Sequence, residues 1–442
     1  MQALACPLCF SSLTELRCSS CAITYSQLGD LFWLWPDPVN ALLDWRNRYN
    51  MELARIDRDF ARAQATDSTF TTTRARVAVE QSALEQYKTE LSKILGNLNL
   101  SEPLAVELHT ALKTQLPDHH GLNSYNRNIF RDWVWGTEEN EAVQQLLIAT
   151  LSGHVKSAPD ILTLGSGAGR LAYDLHTGLN ARCTYALDSN PLLCAVAGRM
   201  FKGESSSLTE FPIAPLGATA IQHTLQTPPV RNDIHSICGN ALAAPFSANQ
   251  LDLVLTSWLV DVLDASLSDL LAHVSSLLKP GGLWLMHGSV SFESSDPSLR
   301  LSTAELAEVA TEEGFEIIAQ RDDELPYLQS PYSRQKRTEV VHTLLARAPS
   351  PRTTRPVQAT WMPNWLADIS VPVPMNDEFQ EQLTTTRIAT FIMGLIDGKK
   401  SIADMAVVLE EQRLMPILDA TEAIRNFLTT MQAERTAQQR KG

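Results

Sequence analysis

One stretch limits what this chain can fold into more than any other. Asp160-Ile161-Leu162-Thr163-Leu164 is a short apolar run that passes directly into Gly165-Ser166-Gly167-Ala168-Gly169, then into a helix-forming segment from Arg170 to about His176. A strand, a glycine turn and a helix in that order bring backbone N–H groups close to a ligand. A second apolar run, Cys183-Thr184-Tyr185-Ala186-Leu187, ends in Asp188, 19 residues beyond Gly169. An acid at that place offers two acceptors to a nucleoside ribose. Dinucleotide folds usually carry GxGxxG, whose third glycine packs helix on strand. Here GxGxG is followed by Arg170, and the next glycine is Gly178.

The tighter spacing suits S-adenosylmethionine (SAM), which has no pyrophosphate to seat. The next segments point the same way. Gly239-Asn240-Ala241 precedes Ala244-Pro245-Phe246, and Gln250-Leu251-Asp252-Leu253-Val254-Leu255-Thr256 reads as a strand. This order resembles the "D/NA…PF…FD-V" stretch of class I methyltransferases, whose first part lies by the adenine. Leu277-Leu278-Lys279-Pro280-Gly281-Gly282-Leu283-Trp284-Leu285 resembles their "LKPGG" turn and following strand. Singly, each glycine reads as a tight turn. Together, in this order, they predict a Rossmann-like α/β sheet with helices on both faces.

A closer resemblance is to the carnosine N-methyltransferase family. Arg131-Asp132-Trp133 resembles its "RDWS", Gly169-Arg170-Leu171-Ala172-Tyr173-Asp174 its "GRLAYE", and Gly281-Gly282-Leu283-Trp284-Leu285 with Gly288 its "GGxWxNxGPL". Leu301-Ser302-Thr303-Ala304-Glu305-Leu306 and Gly314-Phe315-Glu316 resemble its "LSxEEL…GFE". The match covers residues 121–347. It implies methylation of a histidine imidazole in a small derivative or a peptide. It also implies SAM contacts from Asn128, Ile129 and Arg131, joining Gly165, Gly167, Gly169, Asp188, Ser189, Asn240, Ala241 and Ser257. An acid after the fourth strand would face the imidazole, and Asp261 in Ser257-Trp258-Leu259-Val260-Asp261 is the match. A carboxylate there offsets the charge that develops on a methylated imidazole. The plainer reading of Asp261 is a solvated cap on the next helix.

This sequence departs from the family at Met286 and Ser289, where asparagine and proline are expected. The family's late tyrosines have two candidates, Tyr327, taken here as catalytic, and Tyr332. Arg334, Lys336 and Arg337 read either as a contact for a substrate carboxylate or as a solvated loop. Trp258 reads either as a pocket wall or as plain packing, and His287 as a buried or incidental histidine before a catalytic one. Cys183, Cys194 and Cys238 read as small core residues.

Four of the seven cysteines crowd the N-terminus. Cys6-Pro7-Leu8-Cys9 and Cys18-Ser19-Ser20-Cys21 are two CxxC knuckles, a four-thiolate set that suits structural zinc. The segment from Tyr25 to Phe32 alternates like a hairpin. Residues 1–37 thus resemble the small zinc ribbons that accompany methyltransferases. Residues 38–120 read as helical, with apolar positions at Leu84, Tyr87, Leu91, Ile94 and Leu95, as a scaffold or lid. Residues 348–358 are a Pro-rich linker. Residues 359–442 predict an amphipathic helix from Thr386 to Ile396, an Asp397-Gly398 break, a helix capped by Ser401 and a third from about Asp419 to Gln432. That pattern resembles PqqD-like, winged-helix modules, which bind a leader peptide as an added strand. The plainer reading is a helical cap or dimerisation unit.

Charge and composition set outer limits. The net charge is −14, from 50 acidic and 36 basic residues, which argues against nucleic-acid binding by phosphate neutralisation. No run of 18 apolar residues is present, so no membrane partner is expected. Met1 to Cys6 lacks a secretory signature, and a cytoplasmic protein is the expectation. Two other readings stay open: an RNA methyltransferase guided by the zinc ribbon, and a non-catalytic methyltransferase-fold scaffold.

Overall fold

The computed structural model describes residues 4–29, 31–96, 121–263, 265–292, 297–349, 370–375 and 377–441 of the 442. It divides into two units, residues 1–360 and 361–442.

The first unit is built on one nine-stranded sheet. Its strands are β1 (Ser26–Leu28), β2 (Leu31–Leu34), β3 (Asp160–Leu164), β4 (Cys183–Asp188), β7 (Ile234–Gly239), β8 (Leu251–Ser257), β9 (Leu278–Gly288), β10 (Glu316–Pro326) and β11 (Thr338–Arg347), in the order β1-β2-β7-β4-β3-β8-β9-β11-β10. From β2 to β9 all neighbours are parallel, and the β9–β11, β11–β10 and β1–β2 pairs are antiparallel. All five residues of central β3 are buried, as a strand covered on both faces requires. Edge strand β10 is mostly exposed and carries Arg321, Asp322, Asp323 and Glu324, charges that discourage further pairing. A separate hairpin, β5 (Ser207–Glu210) with β6 (Ile221–Thr224), is inserted ahead of β7.

Both faces are covered. On one lie α7 (Leu267–Leu277), α8 (Thr303–Glu312) and residues 4–25. On the other lie α1 (Pro38–Gln64), α2 (Thr71–Leu95), α4 (Thr137–Leu151), α5 (Arg170–Gly178) and α6 (Pro191–Phe201). Local signals start these helices. Asp37 caps α1 by accepting from Asn40 N–H at 3.0 Å, and Ser302 and Glu305 form a capping box on α8. Residues 38–96 are therefore one layer of the fold, the scaffold reading. The rest of the expected helical region, residues 97–120, lies outside the described residues.

The N-terminal hairpin differs from a free-standing one. β2 pairs in parallel with β7, Leu34 opposite Gly239, so it extends the main sheet. The physical reason is the run Leu31-Phe32-Trp33-Leu34, buried at every position, which needs cover on two faces.

In the second unit, α9 (Asp377–Gly394), α10 (Ile402–Glu411) and α11 (Ile417–Lys441) occur with no strand among the described residues. Ser401 and Asp404 make the capping box of α10. Ile392, Met405, Ala406, Leu409, Ala420 and Ile424 form a small core of this unit's own. Most of the expected linker, residues 350–358, lies outside the described residues.

Candidate active site and four-cysteine cluster

Parallel strands carry their C-terminal ends to one edge of the sheet, where ligands of open α/β folds bind. The register places the turns after β3, β4, β7, β8 and β9 along that edge. Gly165, Gly167 and Gly169 adopt φ of +70°, +56° and +89°. A Cβ on Gly169 would come within 2.7 Å of Phe201 and 2.8 Å of Ala197, so only glycine lets α6 pack this close. Asp188 sits beside the loop. Its Oδ2 accepts from Gly167 N–H and its Oδ1 from Asn190 N–H, each at 2.9 Å. Burial raises the Asp188 carboxyl to about 6, against the pull of the N–H donors of Asn190, Gly167 and Ser189.

The segment ahead of the sheet is locked onto this loop. Arg127–Phe130 is a short helical turn, α3, that continues as a π-turn, Arg131–Trp135. Trp133 Nε1 donates to Ala168 O at 2.8 Å. Arg170 holds Asp174 with its Nε at 2.8 Å and donates to Asp132 O at 3.1 Å. Arg131 pairs with Asp132 at 2.8 Å and faces Glu139 at 3.9 Å. Asn128 faces Gly167, and its buried Oδ1 has no partner among the described residues. Such an atom calls for a ligand donor. Ile129 is fully buried.

Farther along the edge, Asn240 Oδ1 caps a short turn by accepting from Leu242 N–H at 2.9 Å. Ala241 is buried, Ser189 is exposed after β4, and Ser257 ends β8. Trp258 follows at φ +50°, and its ring stacks on Tyr327 with centroids 4.2 Å apart. The Arg337 guanidinium lies 5.1 Å from the Tyr327 ring centroid. Burial raises the Tyr327 hydroxyl pKa, while the charges of Arg131 and Arg337 oppose that shift. Asp261 does not cap the next helix. Ser266 does, while Asp261 Oδ2 accepts from Ser291 N–H at 3.2 Å and ties the β8 and β9 turns together.

Residues 162–286, from within β3 to within β9, match a family described as a methyltransferase domain. This segment is similar to a methyltransferase domain. The match takes in the glycine turn and the acid after the second parallel strand of the motif. No curated protein shows significant sequence similarity to the chain. Among solved structures, it is similar to a SAM-dependent methyltransferase from Aquifex aeolicus at 11% identity, covering 52% of this chain and 99% of that one, with a TM-score of 0.34. It is similar to the CurJ carbon methyltransferase at 17% identity, covering 61% and 70%, with a TM-score of 0.35. It is also similar to phosphoethanolamine N-methyltransferase 2 of Haemonchus contortus, at 15% identity, covering 53% and 58%, with a TM-score of 0.34.

Beyond the matched segment, Tyr327 and Tyr332 part company. Tyr327 joins Trp258, whereas Tyr332 packs on His223, 5.3 Å between centroids. Lys336 donates to Ser330 O at 3.0 Å and Arg337 pairs with Glu339 on β11. His287 is fully buried; its Nδ1 lies 2.9 Å from Thr343 Oγ1, and burial lowers its pKa to about 4. Sequence reasoning missed two features. One is Glu139, which accepts from Leu328 N–H at 3.3 Å while Arg127 donates to Leu328 O at 2.9 Å. The other is a buried Glu210–His223 pair at 2.8 Å, with Ser330 donating to Glu210 at 2.9 Å. Neither carries a local sequence signal.

The sulfurs of Cys6, Cys9, Cys18 and Cys21 all lie within 4.8 Å of one another. A tetrahedral zinc with bonds of about 2.3 Å needs sulfurs about 3.8 Å apart. Donor chemistry and spacing are compatible with zinc. Cys6 and Cys18 are buried in the main core beside Phe246. Among the described residues no helix is long and apolar enough to cross a membrane.

Proposed function

We propose that this methyltransferase domain N-methylates the imidazole of a histidine, in a small histidine derivative or in a peptide. SAM, when bound, supplies a sulfonium-activated methyl group. The chain's own residues then bind and orient. The Gly165, Gly167 and Gly169 turn gives backbone N–H groups and room. Asp188 accepts the ribose hydroxyls, with Ser189 beside it, and Asn240 and Ala241 border the adenine. Arg131, Asn128 and Ile129 serve the amino-acid end, and Ser257 closes the edge between the two ligands. The orphaned Asn128 Oδ1 opposite Gly167 supports this placement.

The observation that carries the acceptor reading is the Trp258–Tyr327 stack, whose Trp258 lies on the same turn as Asp261. A flat aromatic wall suits a planar ring. A carboxylate that accepts one imidazole N–H leaves the other nitrogen's lone pair to attack, and it offsets the charge that develops. Positioning supplies most of the rate, because the methyl group needs no further activation. Tyr327 is assigned to hold the ring in register.

The Cys6, Cys9, Cys18 and Cys21 set holds a structural zinc in this reading, and the C-terminal unit holds a peptide partner. Cytoplasmic placement follows from the same reading. The test is methyl transfer from isotopically labelled SAM to histidine, β-alanyl-histidine and histidine-containing peptides. NMR would then assign the methylated atom. The expected product carries the label on an imidazole nitrogen. Transfer to carbon or oxygen, or transfer to none of these acceptors by cofactor-bound protein, would overturn the acceptor assignment.

A further inference from the structure

The four-cysteine unit clamps the adenine-side loop from both ends. Leu34 of β2 lies opposite Gly239, the residue just before Asn240, and a Cβ on Gly239 would fall 2.6 Å from Leu34 O. At the other end of the loop, Leu4 bridges Phe246, and Ala5 N–H donates to Pro245 O at 2.8 Å. A third contact runs through Phe10, one residue after Cys9. Its ring lies 5.6 Å from His273, whose Nε2 accepts from Ala244 N–H at 2.9 Å. The clamp is itself fixed by the cysteines. Tyr25 OH lies 3.0 Å from Cys6 Sγ. Cys6 shares one apolar cluster with Ala241, Ala244 and Phe246.

We propose that Leu4, Ala5, Phe10 and Leu34 are positioning residues for the cofactor site, and that metal held by Cys6, Cys9, Cys18 and Cys21 sets the affinity for the nucleoside half of SAM. The inference rests on the SAM and zinc readings above. Its content is a coupling between two sites. Ordering residues 4–34 by four metal–sulfur bonds orders the loop from 240 to 246, and the energy spent there is not asked of the ligand. Coupling is reciprocal, so the cofactor product must tighten zinc by the factor by which zinc tightens it.

The experiment uses the full chain and S-adenosylhomocysteine (SAH), with zinc as the only metal. SAH affinity is measured calorimetrically on zinc-loaded protein and on protein stripped with a chelator, while far-UV circular dichroism follows the fold. Zinc affinity is read separately against a chromophoric chelator, with and without saturating SAH. We expect stripping to weaken SAH about tenfold, within the usual range for coupled sites, and SAH to tighten zinc by the same factor. Phe10→Ala keeps the four thiols and every residue assigned to SAM. It should bind zinc stoichiometrically, stay folded and still weaken SAH about threefold to fivefold, even if the stripped wild type unfolds. Equal SAH affinity in wild type and in folded Phe10→Ala would overturn the proposal alone. No SAH binding to zinc-loaded wild type would overturn it together with the methyltransferase reading, and failure to bind zinc would overturn it together with the metal reading.

Discussion

The two halves of the proposed site differ in what they offer: backbone in one, side chains in the other. Around Gly165 to Gly169 the groups on offer are N–H groups and one carboxylate, Asp188, held by two of the neighbouring N–H donors. Around Trp258 they are rings and a carboxylate brought from β8, β9 and the β10–β11 turn. Backbone geometry is written into a short stretch of sequence, because glycine takes the positive φ values needed at little steric cost. A side-chain pocket is assembled from segments far apart in the chain, and its chemistry changes with single substitutions. The difference teaches that a backbone-built half is written in local sequence, whereas a side-chain half depends on the fold that assembles it.

Substitutions can break that contrast or sharpen it. The largest effect is expected from Gly169→Ala. Its Cβ has no room beside Phe201, and the φ of +89° is strained for any other residue. A loss of about 2–4 kcal/mol, from overpacking plus backbone strain, should show as a lower denaturation midpoint. Next comes Asp261→Asn, which should lower kcat about 100-fold while SAH affinity stays that of wild type. A matching loss of SAH affinity would move Asp261 to the cofactor side.

A pH series separates two effects of one group. The Asp188 carboxyl has its pKa raised to about 6 by burial. Below that value the protonated acid can no longer accept from two ribose hydroxyls, so SAH affinity should fall about tenfold per pH unit. Stability moves the other way. The folded pKa lies above the unfolded value of about 3.9, so this group's contribution is complete below about pH 4 and is lost as pH rises through 6. Affinity that is flat from pH 7 to 5 would remove Asp188 from the ribose. The smallest effect is expected from Tyr327→Phe. It keeps the stack on Trp258 and should change KM for the acceptor only a few-fold.

The strands and turns that carry the cofactor side were legible because each is local. β3 and β4 run where the apolar segments place them, and Ser401 caps α10 as its spacing foretold. Leu31 to Leu34 held a signal of another kind. Four successive buried apolar residues point to the interior of a sheet, and they place β2 beside β7 rather than in a separate ribbon. Arg131 could be named from its motif, but its anchors could not. Trp133 meets Ala168 across 35 positions, and Arg127 meets Leu328 across 201. Contacts at such separations leave no periodicity to detect. The Glu210–His223 pair lies on the inserted β5–β6 hairpin, and no local motif marks it. Asp261 shows the limit in the other direction: a helix-capping place is readable in sequence, but Ser266 fills it.

The most direct measurement is a calorimetric titration of SAH into zinc-loaded wild type, Asp188→Ala, Asp188→Asn and Asp261→Asn. The account predicts tight binding to wild type and to Asp261→Asn. It predicts about 100-fold weaker binding to Asp188→Ala, from the loss of two charge-assisted hydrogen bonds, with Asp188→Asn between. Wild-type affinity in folded Asp188→Ala, or no binding to wild type, would contradict it.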